Sequence, residues 1–174
     1  MATDEAECAE PGGDAPVERT PDGRHIIVNG RRWRASDPSI PEALRTQLVA
    51  ELMAARRLAR TDAASSRPRV QDAKVALGER GEPWWDEPTE QGRRERLAAT
   101  MRALLRGREG TICPSEVARV VGGDNWRDLM ETAREVAFAC ASEGVVEIQQ
   151  GGTPITESAP RGPIRIARGQ NWDA

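Results

Sequence analysis

The sequence lacks tyrosine altogether and carries one phenylalanine, one histidine, one lysine and three cysteines. Each scarcity excludes something. With so few aromatics beyond the five tryptophans, a core must be built from Ala, Val, Leu and Ile. Cys8, Cys113 and Cys140 have no close spacing, so neither a metal knuckle nor a disulfide framework is expected. A Cys/His nucleophile would have to join His25 to a distant cysteine, and Schiff-base chemistry would rest on Lys74, which reads as a solvated helix residue. No GxxxxGK loop and no dinucleotide fingerprint is present. The expectation is a protein that is not an enzyme and needs no cofactor and no metal.

Long apolar runs are missing too, so no membrane span is expected. The first residues are acidic instead of basic, which suits neither a secretory signal nor a transit peptide. A cytoplasmic protein with reduced thiols is the expectation.

What is abundant is arginine, and charge is distributed in blocks. Residues 1–23 carry −6, residues 24–80 carry +6, residues 81–90 carry −4 and the remainder +1, for a net −3 over 174 residues. Screening confines each block's field to about 10 Å, so a mildly anionic chain can still present a cationic surface.

The acidic residues 1–23 have too little apolar surface to offset the entropy of ordering and read as a disordered tail. Residues 24–80 read as a basic module. In RHIIVNGRRWRA, Asn29-Gly30 predicts a β-hairpin turn between Ile26–Val28 and Trp33. Ser39 and Glu42 have capping-box spacing around Pro41, predicting a helix over residues 40–60 with an apolar stripe of Leu44, Leu48, Leu52, Ala55 and Ala59. The pattern breaks over residues 61–68, and a second helix should place Val70, Ala73 and Leu77 on one face before Gly78. Residues 81–92 read as an acidic linker in which Trp84 or Trp85 anchors to a module, because two adjacent indoles bury a large area when docked.

Residues 93–168 predict a second module with its own thin core, followed by a short tail over 169–174. A helix runs over residues 93–106, a short one starts at Pro114, and Gly122-Gly123 turns the chain. A third helix should extend to about Ser142, with Trp126, Leu129, Met130, Ala133, Val136, Ala137 and Cys140 inward. Val146/Ile148 and Ile164/Ile166 alternate with more polar residues, predicting two antiparallel strands joined by a long loop. The predicted class is mainly helical α+β. Through TICPSEVAR, GGDNW with the following LM, and RGPIR, residues 93–168 resemble an uncharacterised bacterial family of short winged-helix-like domains. GRRWRASDPSIPEAL, AELMAARR and KVALGERG make residues 24–85 similar to another uncharacterised bacterial segment. Both resemblances imply fold without activity.

Two functions remain. Nucleic-acid binding is favoured by Arg24, Arg31, Arg32 and Arg34 around Trp33, and by Arg56, Arg57, Arg60, Arg67 and Arg69 near the tip of the helical pair. The third helix of the second module offers Arg127 and Arg134 but mixes them with Asp128, Glu131 and Glu135, while the loop and last strand add Arg161 and Arg165. Those three acids read as a salt-bridged face, not a metal site. The alternative is a protein-interaction adaptor: Phe138 is expected opposite the buried stripe, open to Trp84-Trp85 or to a partner. Cys113, ahead of Pro114, reads as a small residue at a helix start. DNA versus RNA, and the oligomeric state, are left open by the sequence.

Overall fold

The computed structural model describes residues 17–156 and 160–172. Its fold is mainly helical α+β, with two small antiparallel sheets at opposite ends of the chain.

The first sheet has the order β1 (Glu18–Arg19), β2 (His25–Val28), β3 (Arg31–Arg34). The β2–β3 hairpin turns where expected. Asn29 and Gly30 both take positive φ, 50° and 71°, the tight turn that an Asn-Gly pair allows. Its register sets Ile26 opposite Trp33 and Val28 opposite Arg31. The tail expectation is corrected at its end: Glu18–Arg19 pairs with Ile26–Ile27, and Thr20 Oγ1 accepts the His25 N–H, so order begins before residue 24. The rest of that expected tail, residues 1–16, lies outside the described residues, as does Cys8.

Helix α1 spans Glu42–Leu58 and buries Leu44, Leu48, Leu52 and Ala55 along one stripe. The predicted capping box does not form. Ser39 gives both its N–H and its hydroxyl to Asp37 Oδ1, and α1 begins after Pro41 without a side-chain cap. Helix α2 spans Ala63–Ala76 and so starts upstream of Pro68, where a break was expected. Asp62 accepts the Ser65 N–H at 3.0 Å and starts the helix ahead of the proline. Pro68, near the helix start and exposed, forfeits one backbone bond without stopping it.

Helix α3 (Glu90–Arg106) is capped by Thr89, whose Oγ1 accepts the Gly92 N–H. Helix α4 (Pro114–Gly122) opens with Pro114 at its first position, and Glu116 Oε2 accepts the Cys113 N–H at 2.7 Å. The third helix expected in this region is divided. A 3-10 segment over Gly123–Leu129 precedes α5 (Met130–Ser142), with Asn125 off helical geometry at the kink. The second sheet has order β5 (Thr153–Pro154), β4 (Val146–Gln150), β6 (Arg165–Arg168), and Ile112 bridges Ile166 on the far side of β6.

The two expected thin cores are replaced by one. Leu44, Leu48 and Leu52 of α1, Ala73 and Ala76 of α2, Leu97, Met101 and Leu104 of α3, and Val136, Ile148 and Ile166 beyond form a continuous apolar cluster. Alanines on α2 let it lie close to both α1 and α3. Ion pairs between buried aspartates and part-buried arginines join the parts at the same seam. Arg96 Nη2 meets Asp37 Oδ2 at 2.8 Å, and Arg102 and Arg106 converge on Asp72 at 2.7 and 2.6 Å. Sequence patterning could not forecast this, because each charge reads as a solvated position until its partner is placed.

No helix among the described residues is long and apolar enough to cross a membrane.

Candidate functional site

The hairpin, the end of α1 and the end of α2 converge on a cleft of about 400 Å³ lined by Ile26, Val28, Arg31, Trp33, Arg56 and Lys74, among others. The register explains the convergence. Trp33 and Arg31 alternate onto the same side of β3 as Ile26 and Val28 of β2, so apolar wall and cations share one face. Trp33 remains 44% exposed although it is a large apolar side chain. Arg31 lies 5.2 Å from its ring centroid and Lys74 Nζ 5.5 Å, both within cation–π range.

Lys74 departs from its reading as a solvated residue. Its side chain is only 14% exposed, and burial pushes its pKa below the ordinary lysine value, helped by Arg56 and Arg80 and opposed by Glu79. Glu79 is the carboxylate of the cleft. Its Oε1 accepts the Ser36 hydroxyl at 2.9 Å, and its Oε2 stands 4.0 Å from Lys74 Nζ.

The opposite face of the hairpin is occupied from within. Trp84 Nε1 donates to the Ala35 carbonyl at 2.9 Å, and Gly78, at φ 79°, brings backbone so near that an added Cβ would stand 3.0 Å from Trp84 Cδ1. Trp85 lies against His25, ring to ring at 5.5 Å, with Arg24 at 5.1 Å and Arg34 at 5.6 Å from its centroid. Arg34 also donates to the Gly81 carbonyl at 2.8 Å. The expected anchoring of the linker is present, through both indoles, and it is on the hairpin.

Phe138 is accordingly not the partner of Trp84-Trp85, and it is not fully exposed. It is half-buried against the common core, beside Ala141, Val146, Ile148 and Ile155 in a groove of about 470 Å³. The second sheet covers the side of α5 that helical periodicity alone leaves outside.

The remaining cations divide by what they touch. Arg32, Arg57, Arg60 and Arg67 are exposed, as are Arg127 and Arg161. Arg69 is removed from the surface set: its guanidinium makes two 2.8 Å bonds to Glu51, which is 2% exposed. Arg134 donates to the carbonyls of Pro160 and Gly162, and Arg165 donates to Thr111, so both fasten the long loop and last strand to the helices. Among the described residues no carboxylate lies within ion-pair distance of Arg24, Arg31, Arg32, Arg34, Arg56, Arg57 or Arg60.

Residues not singled out from the sequence also contribute. Arg119 joins Arg127 in flanking Trp126, each 4.7 Å from its ring. Its exposed position on a short helix gave no signal. Asp128, Glu131 and Glu135 gather no ligand set, and among the described residues no group of three His, Cys, Asp or Glu is placed to hold a metal ion. Glu135 pairs with Arg94 of α3. Burial raises the Cys140 thiol pKa, while Cys113 is half-buried with the Ser115 hydroxyl 3.0 Å from its sulfur.

Residues 94–169 match the model of a family described as Protein of unknown function (DUF3253). The match covers under half of the chain, from within α3 to just past β6. No curated protein matches. The cleft around Trp33 therefore lies wholly outside the matched stretch, on the part of the chain that precedes it.

Proposed function

We propose that this chain binds nucleic acid through the cationic face of its N-terminal hairpin, without catalysis. One observation carries the reading: Trp33, nearly half exposed, is surrounded by Arg31, Arg56 and Lys74 drawn from three separate elements, with Glu79 the only carboxylate among the described residues that line the cleft. Arginines supply phosphate contacts with release of counterions, and an exposed indole supplies a stacking platform that every base can use. Arg57 and Arg60, both exposed near the end of α1, extend the positive field, and among the described residues neither has a carboxylate within ion-pair distance.

The second half of the reading concerns α3 to β6. Three helices, a strand-like bridge at Ile112 and a long-looped antiparallel hairpin follow in the order of a winged helix, and this supports that assignment. On it, the 3-10 segment and α5 would face a groove with Asp128, Glu131 and Glu135 among their exposed positions, which opposes phosphate. Affinity then resides in the first hairpin, and the winged helix serves placement. A protein partner is the second reading, favoured by the apolar groove beside Phe138. Trp84 and Trp85 do not add to it, since both are engaged within the chain.

The deciding experiment compares wild type with the pair R31A/R56A in fluorescence-anisotropy binding to labelled DNA and RNA. A loss of about tenfold or more in the variant supports the reading. Undetectable binding by the wild type at low salt would leave the adaptor function in its place.

A further inference from the structure

The cleft has a feature that phosphate binding alone does not require. A carboxylate lowers affinity for an anionic backbone, yet Glu79 lines this cationic pocket with its side chain 20% exposed. Its Oε1 is taken by Ser36, whereas Oε2 stands 4.0 Å from Lys74 Nζ, beyond hydrogen-bond reach, and retains acceptor capacity. The pocket is concave, with Ile26 and Val28 as apolar wall and Trp33 as an indole surface. Its volume of about 400 Å³ falls within the range of clefts that enclose small organic groups.

Resting on the nucleic-acid reading, the geometry points to a single-nucleotide subsite that takes one unpaired base carrying an exocyclic amine, with Glu79 as acceptor. A base within a duplex is stacked on both faces and has no face to give Trp33, so the ligand is single-stranded or has a splayed base. Arg31, Arg56 and Lys74 neutralise the adjoining phosphates. Glu79 then selects among bases. Cytosine presents an N4 amino donor, whereas thymine and uracil present a carbonyl oxygen in the same place and meet the carboxylate lone pairs. Without Glu79 the pocket would be sequence-tolerant, as stacking platforms are.

The test uses the full chain and four probes: labelled oligo(dC), labelled oligo(dT), and a mixed-sequence duplex and its single strand as competitors. Titrations run above neutral pH, where oligo(dC) stays unfolded. Wild type should prefer oligo(dC) by roughly fivefold, and the single strand should outcompete the duplex. E79Q keeps an oxygen for Ser36 and gains a donor for a carbonyl, so the preference should collapse while circular dichroism stays unchanged. W33L should weaken both oligonucleotides alike. Equal binding of oligo(dC) and oligo(dT), with salt-dependent affinity intact, overturns base selection and leaves nucleic-acid binding standing. Duplex competing as well as single strand overturns the unpaired-base subsite. Failure of every probe to bind overturns both the subsite and the function beneath it.

Discussion

Lys74 Nζ sits 5.5 Å from the centroid of the Trp33 ring, tying α2 to the exposed face of the hairpin. The relationship matters because the lysine bears a desolvation penalty there. Burial lowers its pKa below 10.5, so the folded chain releases this proton at lower pH than the unfolded one. Stability therefore gains from this residue as pH rises through the interval beneath 10.5; the gain is complete above that value and absent below the folded pKa. An anion in the cleft favours the charged lysine, so binding should weaken as pH rises past the pKa of the free folded chain's lysine. Replacing the lysine by methionine, K74M, should leave stability unchanged or slightly higher, remove this pH dependence, and weaken oligonucleotide binding severalfold. Urea unfolding and binding, each followed against pH, read the two effects.

The seam between α3 and the N-terminal elements should behave as interior. Asp37 is 4% exposed and bonded to Arg96 and to both donors of Ser39. D37A leaves the part-buried Arg96 guanidinium without its anion, holding only the Ala76 carbonyl, and should cost about 2 kcal/mol. D37L/R96M should recover much of that loss, since an apolar pair needs no desolvation of charge. Because the core is continuous, helix loss by circular dichroism and tryptophan exposure by fluorescence should coincide in one urea transition. Two separated transitions would show that the halves fold independently.

Phe138 gives a third expectation. F138S removes half-buried apolar surface between α5 and the second sheet and should destabilise by about 2 kcal/mol. The linker docks on the hairpin instead, so the environment of Trp84 and Trp85, followed by near-ultraviolet circular dichroism under native conditions, should not change.

Asp4, Glu5, Glu7, Glu10 and Asp14 precede the first described residue, and the chain enters the hairpin sheet at Glu18 on its β1 edge. Tethered carboxylates compete with phosphate at high effective concentration. A variant starting after residue 16, which spares β1, should bind oligonucleotide more tightly than the full chain at low salt and converge with it at high salt. Equal affinity at every salt concentration would contradict the competition.

The fold was legible wherever a local rule faced no tertiary competitor. Asn29-Gly30 made its hairpin, Pro114 opened its helix, and the Leu44/Leu48/Leu52 stripe was buried as periodicity requires. Local rules failed where a stronger partner stood nearby. Ser39 turned to Asp37 in preference to capping α1, and Asp62 started α2 ahead of the proline that should have delayed it. The site was legible in part for the same reason. Trp33 and its arginines follow from strand alternation, but Lys74 and Glu79 enter the cleft only because α2 ends beside the hairpin. Conversely, Arg69, Arg134 and Arg165 looked like surface charge, and their roles in Glu51 pairing and loop anchoring depend on residues distant in sequence.

The most direct measurement is the salt dependence of oligonucleotide affinity for wild type and for R31A/R56A, two cleft arginines that among the described residues make no backbone anchoring bond comparable to that of Arg34. Each phosphate contact contributes about 0.7 to the slope of log affinity against log salt on single strands. Wild type should give a steep negative slope, and the double variant should flatten it by roughly 1.4, two contacts' worth. A wild-type slope near zero, or a slope that R31A/R56A leaves unchanged, would contradict a nucleic-acid interface at the Trp33 cleft.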